Sequence, residues 1–142
     1  RRLAIGLALA ALACAGARAI DADRAYEAGV AAVERIDVNV HQERPVSVDV
    51  TVFGRLPDAC TLIHHARQER RTTGIEVTLT TRREAGARCP PEPRPFQRTL
   101  SLESHGLPPG LYFVSVNGVS GTFQIFADSI VPDPRDRYPT HW

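Results

Sequence analysis

The chain has 142 residues, of which 43 % are apolar and 23 % charged, and its formal net charge is +1. That is the length of one domain and the balance of an ordinary globular chain. It excludes collagen-like, low-complexity and wholly disordered proteins, and a charge so near zero leaves no footprint for nucleic acid.

The first residues read as a targeting segment. Arg1-Arg2 is followed by the small apolar run Leu3 to Ala13, the design of a bacterial secretory leader. The run is too short for a permanent membrane span, which needs about 20 apolar residues. Ala17-Arg18-Ala19 has the small-x-small form of a cleavage site, so 1–19 is taken as a signal peptide. In the alternative, Ala11-Leu12-Ala13-Cys14 resembles a lipoprotein box and Cys14 carries the lipid. Loss of Arg1, Arg2 and Arg18 leaves 14 basic against 16 acidic groups, a mildly acidic domain. The Ala-rich stretch 20–34 reads as a tether or a loose helical turn.

From residue 35 the period becomes two. Ile36, Val38 and Val40 alternate with polar residues, and so do Val46, Val48, Val50 and Val52. Strict alternation is the signature of a half-buried strand. Gly54 to Asp58 ends that strand. A less regular strand follows from Cys60 to Arg70, then a turn at Thr72-Thr73-Gly74, then Ile75, Val77 and Leu79 in alternation. Residues 82–95 form a polar loop holding Pro90, Pro91, Pro93 and Pro95, which proline keeps out of a ladder. Strand pattern returns at Phe96–Leu102, at Tyr112–Val116 and at Val119–Phe126. Asn117-Gly118 between the last two is a type I′ hairpin signal, because both positions need positive φ. The tail 128–142, with Pro132, Pro134 and Pro139, reads as irregular. Seven short strands separated by turns predict an all-β, antiparallel sandwich over 35–127, with a small barrel as the alternative that period and strand count do not separate.

With Cys14 in the leader, the exported part keeps Cys60 and Cys89, both beside turn residues. An even count in an oxidising compartment predicts one disulfide between them.

Leu107-Pro108-Pro109-Gly110-Leu111-Tyr112-Phe113-Val114-Ser115-Val116 resembles the sixth-strand segment of fibronectin type III and related immunoglobulin-like domains. The Val-Asn-Gly hairpin and the strand ending Thr122-Phe123-Gln124-Ile125 resemble the closing hairpin of bacterial immunoglobulin-like modules. The resemblance implies an immunoglobulin-like sandwich in which Tyr112 forms a tyrosine corner, its hydroxyl bonding back to the preceding loop. It implies no activity.

Catalytic motifs are sparse. His64-His65 would point to opposite faces of a strand, which argues against a shared metal ion. Asp58 reads as a turn former. Arg67, Arg70, Arg71, Arg82 and Arg83 are interspersed with Glu69, Glu76 and Glu84, as on a solvated mixed face. No cofactor, metal or nucleic-acid partner is expected, and a membrane only through Cys14. These features predict a periplasmic or secreted, non-enzymatic module that binds a protein or cell-envelope component. The alternative is a periplasmic protease or hydrolase inhibitor. In either, the partner-facing loop is 82–95, with Arg88, Pro90, Pro91 and Pro93.

Overall fold

The computed structural model describes residues 25–127. The leader, both processing readings, Cys14, the first part of the tether and the tail lie outside the described residues.

Eight strands follow in chain order: β1 (Tyr26–Val30), β2 (Ala32–His41), β3 (Ser47–Leu56), β4 (Thr61–Arg71), β5 (Gly74–Glu84), β6 (Arg94–Ser101), β7 (Gly110–Val116) and β8 (Val119–Ile125). β1, β4, β5, β7 and β8 form one sheet; β2, β3 and β6 form the other. The result is a two-layer β-sandwich. Alternation supplies the inner faces: Val48, Val50 and Val52 from β3 meet Ile75, Val77 and Leu79 from β5, Val114 and Val116 from β7, and Phe123 and Ile125 from β8. Burying each such side chain stabilises by about 1.5–3 kcal/mol, which pins the register, since a one-residue slip would turn the valines outward.

Three expectations are corrected. Residues 26–34 are not a tether: β1 pairs antiparallel with β5, and β2 then pairs with β3. The extended chain crosses between sheets at Ala31, which is buried and donates its N–H to the Leu79 carbonyl at 3.0 Å. Small residues make this close approach feasible: a Cβ at Gly29 would lie 2.9 Å from Thr81 Oγ1. Pairing with a distant strand overrides the local bias of an Ala-rich segment.

The sandwich is also not purely antiparallel. β5 and β7 run parallel over Gly74–Val77 and Phe113–Val116. The chain leaves β5 for the second sheet as β6 and returns as β7. Two reversals restore the original direction.

The loop expected over 82–95 is shorter. β5 continues to Glu84 and β6 starts at Arg94, leaving 85–93 irregular. Pro95 sits on β6, an edge strand of its sheet, where a missing N–H is tolerated.

The two long sides of the sandwich are closed differently. On one, β2 packs on β8: a Cβ at Gly121 would stand 3.2 Å from Val38 Cγ2 and 3.3 Å from Ile36 Cδ1. On the other, β4 reaches over to the segment that ends β6. Gln68 donates to the Ser101 carbonyl at 2.8 Å and accepts from the Glu103 N–H at 2.9 Å, while Arg70 donates to the His105 carbonyl at 2.9 Å. Polar side chains spent this way also blunt an edge strand.

Candidate functional site

The candidate site lies at the end of the sandwich where the chain changes sheets. Its base is the turn between β3 and β4. Asp58 is buried there, and its Oδ1 accepts from the Cys60 N–H at 2.9 Å, the Thr61 N–H at 2.8 Å and the Thr61 hydroxyl at 2.9 Å. Its Oδ2 accepts from Arg83 Nε at 3.2 Å, and Arg83 Nη2 donates to the Ala87 carbonyl at 2.7 Å. Burial alone would raise the Asp58 pKa. The Thr61 hydroxyl, the Thr61 and Cys60 amides and the Arg83 charge outweigh it, holding the carboxyl below its ordinary value.

Cys60 and Cys89 are joined as a disulfide, with Cα atoms 6.1 Å apart. The bond and the Arg83–Ala87 contact both anchor the loop 85–93. Oxygen and sulfur atoms of Asp58, Cys60 and Cys89 lie within 4.8 Å of one another. The sulfurs are spent on each other and the carboxylate on its donors, so the trio is a structural joint. Asp58 is thus more than a turn former. Its reach to Arg83 depends on the β4–β5 register, which no local pattern reveals.

Beside this joint opens a cleft of about 480 Å³, walled by Val30, Ala31, Leu56, Pro57 and Pro93. Val30 is 66 % exposed. Glu34 and Arg55 form an ion pair of 3.0 Å on the rim. Of the loop residues singled out above, Pro93 lines the cleft. Arg88, Pro90 and Pro91 stand exposed on the neighbouring loop.

The remaining singled-out residues lie elsewhere. Tyr112 is 6 % exposed, its hydroxyl donates to the Pro108 carbonyl at 2.7 Å, and its ring stacks on Phe123 at 5.4 Å. Asn117 and Gly118 have φ of 46° and 89°, as their turn requires. The arginines are dispersed over several partners. Arg67 and Arg71 bind Glu69, Arg71 also binds Glu76, Arg70 takes His105 and Arg83 takes Asp58. Arg82 lies over the Tyr26 ring at 5.0 Å.

One reading of the histidines is overturned. β4 bulges between Ile63 and Ala66, and the extra residue breaks the alternation. His64 and His65 therefore do not part: their ring centroids are 3.9 Å apart. Desolvation, then His65 and then Arg82, lower the His64 pKa.

Comparison with known proteins agrees with this architecture. Residues 50–125 match the family model of the ORF11 beta-sandwich domain. An uncharacterised 10.2 kDa protein in the HgiCIIM 5′ region of Herpetosiphon aurantiacus is 31 % identical over 93 residues, covering 66 % of this chain and 98 % of the relative. Two further uncharacterised 10.2 kDa proteins of that organism, in the HgiBIM and HgiEIM 5′ regions, are each 35 % identical over 81 residues, or 57 % of this chain and 98 % of theirs. These relatives are matched over nearly their whole length. No solved structure matches.

Proposed function

We propose that this chain, which belongs to the ORF11 beta-sandwich domain family, is an exported, non-enzymatic module that holds a protein or cell-envelope component at the open end of its sandwich. The observation that carries the reading is the apolar cleft of about 480 Å³ beside a loop anchored by a disulfide. An apolar wall offers a partner side chain a place to leave water. A loop already held in one shape loses less entropy on binding. The acids around the cleft are engaged, Asp58 by four donors and Glu34 by Arg55. The leader and the disulfide together favour an oxidising compartment outside the cytoplasm.

Fractionation should recover the chain outside the cytoplasm, with a mature N-terminus at Ile20 or at lipidated Cys14. Crosslinking in intact envelopes should trap a partner, and Val30→Glu or Pro93→Glu should abolish the adduct. An adduct of unchanged yield in both variants would reject the cleft as the docking surface.

A second reading, a protease or hydrolase inhibitor, is favoured by the double anchoring of loop 85–93 at Ala87 and Cys89. Under it, the purified chain inhibits an envelope hydrolase, and substitution of Arg88 and Pro90 removes the inhibition.

A further inference from the structure

We propose that His64 and His65 form a two-point surface site for a divalent transition-metal ion, with copper(II) held more tightly than nickel(II) or zinc(II). The site is separate from the cleft and independent of its function.

Neighbouring residues on a regular strand cannot share an ion, because their side chains leave on opposite faces. The bulge between Ile63 and Ala66 removes that obstacle. Both imidazoles emerge together, tilted by 51° with centroids 3.9 Å apart, and both residues are exposed. Metal–nitrogen bonds to histidine are about 2.0–2.1 Å, so one ion gathers two imidazole nitrogens to within about 3 Å of each other. Rotation about the outer side-chain bonds, which solvent exposure leaves free, covers that adjustment.

The backbone beneath is held in place. The His65 N–H donates to Thr80 Oγ1 at 3.2 Å, and the Thr80 hydroxyl donates back to the His65 carbonyl at 3.3 Å. The bulge is therefore tied to β5 and need not be ordered when the ion arrives. Bulges re-aim side chains in this way. Imidazole suits copper, nickel and zinc, and their affinities for a nitrogen site rise to a maximum at copper. Water fills the positions that two histidines leave open.

One charge opposes the ion. Arg82 acts on His64 and is drawn over the Tyr26 ring at 5.0 Å. It sets a specific expectation: neutralising Arg82 strengthens binding, an effect that an ion bound elsewhere would not show.

The test is titration of the full chain with copper(II), nickel(II) and zinc(II) chloride, followed by calorimetry and by electron paramagnetic resonance for copper. Copper should bind tightest, with nitrogen hyperfine structure from two imidazoles. His64→Asn and His65→Asn should each weaken copper binding by about tenfold or more, as expected when one of two strong donors is lost. Their combination should abolish the site, His105→Asn should leave it intact, and Arg82→Gln should tighten it. Wild-type copper affinity in the double variant would overturn the proposal. So would a wild-type spectrum showing fewer than two imidazoles, a readout that does not depend on any variant folding.

Discussion

Asn117 joins three segments through one side chain. Its Oδ1 accepts from the Leu79 N–H at 2.9 Å, and its Nδ2 donates to the Ala31 and Leu79 carbonyls, each at 2.9 Å. β7 covers the first part of the β5 edge and β1 the last part. Leu79 falls in the seam between them, and the Asn117 amide completes the ladder there. Asn117→Gly keeps the positive φ and removes these bonds, so it should lower stability by about 1–3 kcal/mol, the net worth of two or three hydrogen bonds. Asn117→Ala should cost about 1 kcal/mol more for its left-handed backbone. Urea midpoints of the three proteins check both steps, and a glycine variant as stable as wild type would deny the side chain its role. The Asn-Gly pair was legible as a turn. Its reach to Leu79 was not, because that depends on two strands converging from opposite ends of the chain. Asp58 makes a prediction in pH. Its folded pKa lies below the ordinary carboxyl value, so its ionised form favours the folded state. That stability is present above the unfolded pKa, about 3.9, and is lost as pH falls through the folded pKa. Melting temperature between pH 7 and pH 3 should therefore fall less steeply in Asp58→Asn, from a lower start at neutral pH.

At the scale of the element, the parallel join of β5 to β7 depends on Gly74. A Cβ there would collide with the Phe113 carbonyl, where the Phe113 N–H also donates to the Thr73 carbonyl at 2.9 Å. Gly74→Ala should push the two strands apart and cost more than the 1 kcal/mol or so typical of a point substitution. Hydrogen exchange should show the loss first at the amides of Phe113 to Val116. The sequence marked Gly74 as a turn residue; nothing local told that a strand from the far end of the chain would press against it. The same contrast runs along the fold. Strands with strict alternation, such as Val46 to Val52, were legible because one face is buried and the other wet. β1 was hidden because its five residues are all exposed and carry no alternation. The bulge in β4 was hidden because it is a mismatch between two strands, and a single strand cannot display it.

At the scale of the whole molecule, the side between β4 and β6 is bridged at both ends. At its far end, Gln68 and Arg70 bridge to residues 101–105. At its near end the covalent link is Cys60–Cys89, standing just before β4 and within the loop that leads to β6. The sequence separation of 29 residues fixes the expected effect. In the chain-entropy picture, a loop of about 30 residues stabilises by roughly 3–4 kcal/mol, by limiting the unfolded chain. A domain of this size has only about 5–15 kcal/mol of net stability, so the bond is a large share of it. Replacing both cysteines by serine should shift the urea midpoint downward and raise the slope somewhat, because the unfolded chain without the link exposes more surface. A smaller slope would show that the native sandwich has also loosened. The sulfurs sit beside Asp58, whose carboxylate holds Arg83, which in turn holds Ala87. That second tether remains when the bond is removed. The loop 85–93 should therefore stay attached at Ala87 while exchange and proteolysis rise around Cys89 to Pro93. Adding Arg83→Ala to the serine pair should release the loop, and cleavage between Glu84 and Arg94 should then outpace cleavage anywhere else in the sandwich. Equal protease resistance of the serine pair with and without Arg83 would mean that Arg83 does not restrain the loop.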